Sequence, residues 1–352
     1  MRPGSLVSDD AGSAMHVPVM LQETVDCLAV RPGGVYLDAT LGEAGHAVEI
    51  LRRAAPGGRL LGIDRDPAAI DRASARLREA APGCAVCVQG NHADLGTLAD
   101  AHGFSALDGV VIDTGVSSGQ LDEAARGFSF QQDGALDMRM DPTRGETAAE
   151  LLARLDAVGL ATCFRTLGEE PQAMRVARAI IRERERAPIM TTLHLAEVVT
   201  HALGGRGDRK RHPATRVFQA LRMAVNGELD ALAAALEAAM ERLRPGGRLA
   251  VITFESLSDR LVKRCFAEHV GRDVALQQGG SHWEGRLPRM DWVARRALRP
   301  GEEEVRRNPR ARSAKLRAVV RPAAGDGPLF ETGRQDRARR TIPQGNVLNE
   351  DR

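Results

Sequence analysis

Five short runs of apolar residues, three of which end on an aspartate, limit the possible folds of this chain more than any other feature. They lie at residues 35–38, 59–64, 85–89, 109–113 and 248–254. Helical patterns separate the first four runs, and this alternation is typical of a parallel sheet covered by helices. Ligands of open parallel sheets bind at the carboxyl ends of the strands. We therefore expect Asp38, Asp64 and Asp113 at a ligand-binding edge.

About a hundred residues separate the fourth run from the fifth, whereas connections within a simple alternating domain are short. Four helical patterns occupy this segment, at residues 148–155, 157–167, 173–184 and 192–203. The sequence thus predicts a helical domain inserted into an α/β domain. The predicted parts are a disordered N-terminus (1–14), a discontinuous sheet domain (15–125 and 214–320), a helical insertion (126–213) and a disordered tail (321–352).

Alternation resumes after the insertion. Residues 215–243 carry one apolar stripe at helical spacing, which Asn226-Gly227 is expected to interrupt as a hinge. The sequence RPGG at 244–247 should end this helix directly before the last strand.

A glycine-containing turn, with Gly42 and Gly45, follows the first strand and precedes a helix. Such a turn lets the backbone approach a ligand, and the helix N-terminus offers free N–H groups to an anion. Asp64 ends the second strand, where an acid can accept both hydroxyls of a ribose. This pattern suits NAD and S-adenosylmethionine equally, but the GxGxxG motif is missing and LRPGGRL at 243–249 resembles class I methyltransferases. Asp64 could instead cap the next helix, although Asp66, directly before a proline, is better placed.

Composition sets further limits. No apolar run approaches the roughly 18 residues of a membrane span, and no signal peptide is evident, so we expect a cytoplasmic protein without a membrane partner. The CxxC pair Cys84 and Cys87 lacks a second ligand pair, so we expect no metal. Although the net charge is only +2, residues 206–212 and 295–317 are rich in arginine, which indicates a polyanionic partner.

Longer motifs are more distinctive. They are DTGVSSGQLD at 113–122, RGFSF at 126–130, LDMRMD at 136–141, HPATR at 212–216, FQALR at 218–222 and NPRARS at 308–313. Together they closely resemble the bacterial 16S rRNA (cytosine-N4)-methyltransferase family, RsmH (MraW), from about residue 16 to 320. The resemblance implies a class I (Rossmann-like) S-adenosylmethionine methyltransferase sheet with an inserted helical domain. It also implies N4-methylation of a cytidine in the decoding region of 16S rRNA.

Position by position, the resemblance implies that the S-adenosylmethionine contacts are Ala44, Gly45, His46, Asp64, His92, Asp113 and Gln120. The chain departs from the family pattern in three places. Ala44 replaces the first of two glycines, which preserves a backbone contact only if no positive φ is needed there. Thr114 replaces a leucine. The late motif FHSLED reads FESLSD at 254–259, so we assign no role to Glu255 or Ser258.

The chemistry requires alignment and proton acceptors, because the lone pair of a cytosine amino group is delocalised into the ring. Alignment can contribute about 7–11 kcal/mol, and a positioned acid or base roughly 10²–10⁴-fold. We expect Asp137 or Asp141 near the target amine, and Arg139 on a phosphate or on the base carbonyl. These three could equally form a structural ion-paired turn. Methylation at C5 would need a cysteine nucleophile, and no cysteine lies in the predicted site loops.

The expected partner is 16S rRNA or the small ribosomal subunit, and a homodimer stays open. The basic loop at 206–216, with Arg209, Lys210 and Arg211, and the helical insertion are the candidates for contacting the RNA backbone. One alternative is a methyltransferase of DNA or a small molecule, although the Asp/Asn-Pro-Pro-aromatic signature of DNA amino-methyltransferases is absent. Another is a non-catalytic rRNA-binding or assembly factor.

Overall fold

The structure, a computed structural model, describes residues 18–205, 212–276 and 280–323. Within these residues, strands form a seven-stranded sheet and a separate two-stranded hairpin. The strands are β1 (Val35–Asp38), β2 (Arg59–Asp64), β3 (Ala85–Gln89), β4 (Leu107–Asp113), β5 (Leu243–Thr253), β6 (Arg272–Ala275), β7 (Ser281–Glu284), β8 (Asp291–Trp292) and β9 (Lys315–Val320).

The sheet has the order β3-β2-β1-β4-β5-β9-β8. Its first five strands are parallel, while β9 and β8 run antiparallel at the edge beyond β5. All five predicted strands are present, so the predicted α/β fold class is confirmed. The last predicted strand begins earlier than expected, because RPGG at 244–247 joins β5. The register between β4 and β5 shifts at Leu107 and Gly109 to accommodate it.

Helices cover both faces of the sheet and form a separate helical unit. They are α1 (Leu21–Leu28), α2 (Gly45–Ala54), α3 (Pro67–Ala80), α4 (Leu95–Ala101), α5 (Ser118–Asp122), α6 (Ala148–Arg154), α7 (Ala157–Gly168), α8 (Ala173–Arg184), α9 (Thr192–Ala202), α10 (Thr215–Asn226), α11 (Glu228–Arg242), α12 (Ser256–Val270) and α13 (Glu302–Arg307).

Alternating strand residues build two cores, one on each face. Val110 and Ile112 of β4 point into the core beneath α4, α11 and α12. Val111, between them, points into the core beneath α1, α2 and α3. Because side chains of a strand alternate between faces, a strand that is covered on both sides is apolar throughout. This explains the continuous apolar runs in the sequence.

The segment between β4 and β5 packs around a cluster of its own buried residues. Helices α6 to α9 match the four predicted patterns within two residues. Their core extends through Leu221, because α10 packs against α7. The helical unit thus includes a helix beyond the boundary expected at residue 213. The interruption predicted at Asn226-Gly227 is confirmed, since Gly227 adopts φ 58° between α10 and α11.

Some expectations fall on residues that the structure does not describe. These are the disordered N-terminus (1–14), most of the tail (321–352) and the basic residues Arg209, Lys210 and Arg211. Arg321, at the start of the predicted tail, donates its backbone N–H to the Gly247 carbonyl at 2.9 Å and so extends the pairing between β9 and β5. Over the described ranges, every helix is too short or too polar to cross a bilayer.

Candidate active site

A cavity of about 690 Å³ opens at the carboxyl ends of β1, β2 and β4. Asp64 and Asp113 lie on its sheet side, while Phe130, Met140 and His212 line it from the side of the helical unit. Its volume falls in the range of about 300–1,000 Å³ that is usual for small-molecule sites. The cavity therefore lies at the expected edge of the sheet, between the sheet domain and the insertion.

The turn between β1 and α2 forms one wall of this cavity. Gly45 starts α2, and a Cβ on Gly45 would lie 2.0 Å from Cγ of Pro18, which also lines the cavity. His46 is buried, and its Nε2 lies 3.2 Å from the Val19 carbonyl. Burial lowers the pKa of His46 to about 4, so its imidazole is neutral at physiological pH. Glycine at position 45 thus lets residues 18–19 pack over the helix N-terminus.

Ala44 differs from the other predicted cofactor contacts. It is fully buried and does not line the cavity, whereas Gly45, His46, Asp64, His92, Asp113 and Gln120 do. Ala44 adopts φ 60°, so the left-handed conformation is required here although the residue is not glycine. Its backbone shapes the turn, since its N–H donates to Leu41 at 2.7 Å.

Asp64 ends β2 with both carboxylate oxygens held by backbone donors. Oδ2 accepts from Gly42 N–H at 2.7 Å, and Oδ1 accepts from Asp66 N–H at 2.9 Å. Asp66, not Asp64, caps α3 by accepting from Ala68 N–H at 3.0 Å, as expected for the residue directly before the helical proline. Beside β3, His92 also lines the cavity, and burial lowers the pKa of its imidazole to about 4. Asp64 is thus rigidly oriented and His92 is neutral.

Carboxylates at three strand ends share this edge. Burial raises the pKa of Asp38 to about 7 and that of Asp113 to about 6, and it also raises the pKa of Asp64. Asp113 Oδ1 accepts from Gly115 N–H at 3.1 Å, while its Oδ2 has no hydrogen-bond partner among the described residues. Because a nearby cation favours ionised carboxylates, this edge is suited to a positively charged ligand.

Gln120 lines the cavity from α5. Its Oε1 accepts from Ser117 N–H at 3.1 Å and its Nε2 donates to Asp66 at 3.4 Å. Both ends of the amide are therefore committed to fixing the turn after β4. Gln120 can contact a ligand only through the second lone pair of Oε1 or the second hydrogen of Nε2.

The three residues predicted to act in catalysis lie on a loop beside the cavity. The Arg139 guanidinium donates two hydrogen bonds to Asp137, from Nε to Oδ1 at 2.8 Å and from Nη2 to Oδ2 at 2.7 Å. Asp141 accepts from the backbone and hydroxyl of Thr143 at 3.0 and 2.6 Å. The lining of the cavity includes Met140 but none of these three side chains. Their catalytic role stays a prediction, and the geometry is that of an ion-paired turn.

A largely buried ion network also lines the cavity, and no role was predicted for it from the sequence. Arg222 of α10 donates to both oxygens of Glu228 at 2.8 Å and to Glu255 at 2.5 Å. Arg222 lay in a recognised motif, but its partners are separated from it by 6 and 33 residues. The network joins the helical unit to the start of α11 and to the end of β5.

Comparison with known proteins bears on what this cavity holds. The family model described as the MraW methylase family matches residues 13–322. The chain belongs to the MraW methylase family. "Ribosomal RNA small subunit methyltransferase H" of Thermomicrobium roseum is 50% identical over 318 residues, covering 90% of this chain and 97% of the relative. The protein of the same name from Pelobacter propionicus is 49% identical, covering 86% of this chain and 97% of the relative.

Among solved structures, an rRNA methylase from Streptococcus thermophilus aligns with a TM-score of 0.38 at 10% identity, over 87% of this chain and 99% of its own. Membership of the MraW methylase family confirms the recognised resemblance. As a methylase of this family the chain uses S-adenosylmethionine, the expected cofactor. The residues of the cavity fit S-adenosylmethionine. The rigid carboxylate of Asp64 can accept hydrogen bonds from ribose hydroxyls, and the acidic edge can attract the positive charge of a sulfonium.

Proposed function

We propose that this protein transfers a methyl group from S-adenosylmethionine to the N4 amino group of a cytidine in the RNA of the small ribosomal subunit. One observation carries the proposal: a single cavity joins the carboxylate edge of the sheet to residues of the helical unit. Such a cavity can hold a cationic nucleoside on one side and a nucleic-acid base on the other. Relatives that are about half identical over almost their full length bear the name of an rRNA methyltransferase.

On the sheet side, each predicted residue would contact a different part of the cofactor. The free N–H groups at the N-terminus of α2, from Gly45 and His46, suit the methionine carboxylate. Asp64 accepts the ribose hydroxyls, and neutral His92 lies where the adenine edge would be. We assign Asp113, with its free Oδ2, to the positive end of the cofactor. When bound, S-adenosylmethionine supplies a methyl group that its sulfonium has already activated.

On the other side, the protein must orient the base. Phe130 and His212 have ring centroids 4.6 Å apart at the wall of the cavity, and such rings can stack on an unpaired base. We propose that the Asp137–Arg139 pair keeps Met140 at this wall, and that Asp137 or Asp141 receives the proton when the base has entered. The target nucleotide has to leave its own stack to reach the cavity.

The cysteines argue against the alternative carbon chemistry. None of the five lines the cavity, and burial raises the pKa of the Cys27 and Cys163 thiols to about 11. Methylation at cytosine C5 needs a thiolate at the ring. Methylation at nitrogen needs alignment of the amino group with the methyl group and an acceptor for the proton. The carboxylates beside the cavity can supply such an acceptor.

We further propose that the protein acts in the cytoplasm on the small subunit or its RNA, with the insertion and the basic segment 206–216, whose last two residues begin α10, contacting the RNA backbone. Exposed Arg312 lines the rim of the cavity and can extend this basic surface. Analytical ultracentrifugation would show whether the protein forms a homodimer.

The test uses small-subunit RNA and 30S particles from a strain that lacks the protein, with labelled S-adenosylmethionine and the purified chain. We expect label in one cytidine, mapped by nuclease digestion and mass spectrometry as N4-methylcytidine. DNA and 23S rRNA serve as matched controls and should stay unlabelled. Label in DNA would favour the other substrate class. Tight cofactor binding without transfer to any RNA would favour an assembly factor.

A further inference from the structure

A second cluster of chemically reactive side chains lies away from the active site, between α11 and α12. Cys265 and His269 are one helical turn apart on the same face of α12, and Glu237 of α11 faces them. His269 is fully buried and Cys265 is 7% exposed, while the Glu237 side chain is 27% exposed. Their ligand-type atoms all lie within 4.8 Å of one another.

The hydrogen bonds of His269 fix which nitrogen faces the cluster. Nδ1 lies 2.9 Å from the carbonyl oxygen of Pro288, an acceptor, so Nδ1 carries a hydrogen. In a neutral ring, Nε2 then presents a lone pair, and it faces Glu237 Oε2 at 3.1 Å. Two acceptors at this distance require a cation or a proton between them. A histidine whose other N–H is held by a backbone carbonyl is also the usual arrangement of a metal ligand.

The contacts to Glu237 are close to the spacing of metal ligands. Zinc lies about 2.0–2.3 Å from nitrogen, oxygen and sulfur ligands, which places tetrahedral ligand atoms about 3.3–3.6 Å apart. His269 Nε2 lies 3.1 Å from Glu237 Oε2, and Cys265 Sγ lies 3.6 Å from the other oxygen of the same carboxylate, Oε1, so a small adjustment of the Glu237 side chain brings one oxygen to both residues. Arg286 donates to Oε1 of the same carboxylate at 2.7 Å, as outer groups do for metal-bound carboxylates.

We propose that Glu237, Cys265 and His269 form a binding site for a zinc-class divalent cation, with water as the fourth ligand. Thiolate and imidazole ligands select such ions over magnesium or calcium. The ion neutralises the cluster and fastens residues 286–290 to the sheet domain, since Arg286 and Met290 already hydrogen-bond to the backbone of Glu268 and His269. No CxxC-type spacing signals the site, because 28 residues separate Glu237 from Cys265.

The experiment titrates Co²⁺ into the chelator-treated full-length chain and follows thiolate-to-cobalt absorption. We expect a band that saturates at one equivalent, disappears when Zn²⁺ is added, and is lost in Cys265→Ser. Cys27→Ser is the matched control, because Cys27 is also 7% exposed, and it should keep the band. Arg286→Ala should weaken binding about 10–100-fold.

Far-UV circular dichroism and cofactor affinity serve to check that Cys265→Ser is folded, and both should match those of the wild type. Zn²⁺ should raise the melting temperature of the wild type and of Cys27→Ser, but not of Cys265→Ser. Absence of the band in the folded wild type, or its survival in Cys265→Ser, would overturn the site. Either result leaves the proposed methyl transfer untouched.

Discussion

The hydroxyl oxygen of Thr40 accepts a hydrogen bond from the backbone N–H of Asp113 across 2.6 Å. This bond ties the turn after β1 to the end of β4, next to the backbone bond from Ala39 N–H to the Val111 carbonyl at 2.9 Å. The position of the Asp113 carboxylate is thus set by two adjacent strands. A rigid, half-buried carboxylate with one free oxygen can distinguish a sulfonium from its demethylated product, because only the former carries a positive charge on sulfur.

Asp113→Asn should therefore have opposite effects on affinity and stability. At about pH 8 we expect at least tenfold weaker binding of S-adenosylmethionine, because the neutral amide loses the attraction to the cation. At about pH 5, below the pKa of about 6, the wild-type carboxyl is largely protonated and the two affinities should converge. Calorimetry at both pH values measures these affinities. For the product S-adenosylhomocysteine, the affinities of the wild type and of Asp113→Asn should differ less.

The stability of the ligand-free protein should change the other way. The folded pKa of Asp113 is raised above its usual 3.8, so the folded state binds the proton more tightly. The wild type then loses stability as the pH rises from about 4 to about 6, a loss worth up to about 3 kcal/mol that Asp113→Asn avoids. Asp71→Asn, on the exposed face of α3, should change neither property. Equal melting temperatures of Asp113→Asn and wild type at about pH 8 would contradict the argument.

Gly45→Ala should damage the cofactor site by crowding. A methyl group there would lie 2.0 Å from Pro18 Cγ, so residues 18–19 have to move away from α2. Overpacking of this kind costs about 1–3 kcal/mol, and the displaced segment forms part of the cavity wall. We expect a lower melting temperature and weaker cofactor binding. Gly301→Ala, where a Cβ meets nothing within 4 Å, is the control, and equal behaviour of both variants would refute the crowding.

The sequence predicted the sheet well because its strands are buried on both faces. A strand such as β4 is apolar at each inner position, so its run is visible without knowing its neighbours. The antiparallel strands β8 and β9 were not predicted, because β8 has two residues only and β9 begins within the arginine-rich stretch at 295–317. The membership of α10 in the helical unit was also missed, because packing against α7 across about fifty residues leaves no local signal.

The residues predicted for the site line the cavity on the sheet side, whereas few of those on the helical side were predicted. Asp64 and Asp113 follow from the rule that ligands bind at strand ends. The sequence left the conformation of Ala44 open, and the residue adopts a positive φ because the turn geometry is set by Leu41 and α2 rather than by residue type. Glu255 received no role, since its ion pair with Arg222 forms only when α10 meets the end of β5.

Asp137→Ala should leave the cofactor affinity intact and abolish methyl transfer. A positioned acid or base contributes about 10²–10⁴-fold, and that is the expected loss in kcat. Arg139→Ala separates the two roles of the pair. If Asp137 only holds the turn through Arg139, both variants should lose activity equally. If Asp137 accepts the proton, Asp137→Ala should be the more severe and its pH profile should flatten.

Arg154→Ala is the control for these measurements, because its side chain is 59% exposed and pairs with Glu146, and neither residue lines the cavity. Its turnover should match that of the wild type. Normal turnover of Asp137→Ala at saturating RNA would remove this residue from the mechanism.

Neutralising the basic loop should weaken RNA binding through counterion release. Alanine at Arg209, Lys210 and Arg211 removes three cations, and each phosphate contact with single-stranded RNA contributes about 0.7 to the slope of log K against log salt. We therefore expect the slope to fall by up to about 2, with an unchanged cofactor affinity. Arg52→Ala is the matched control, since Arg52 is 68% exposed on α2 and paired with Glu49. A slope equal to that of the wild type would show that the loop does not contact phosphates, and the search for the RNA surface would then turn to Arg312 at the rim of the cavity.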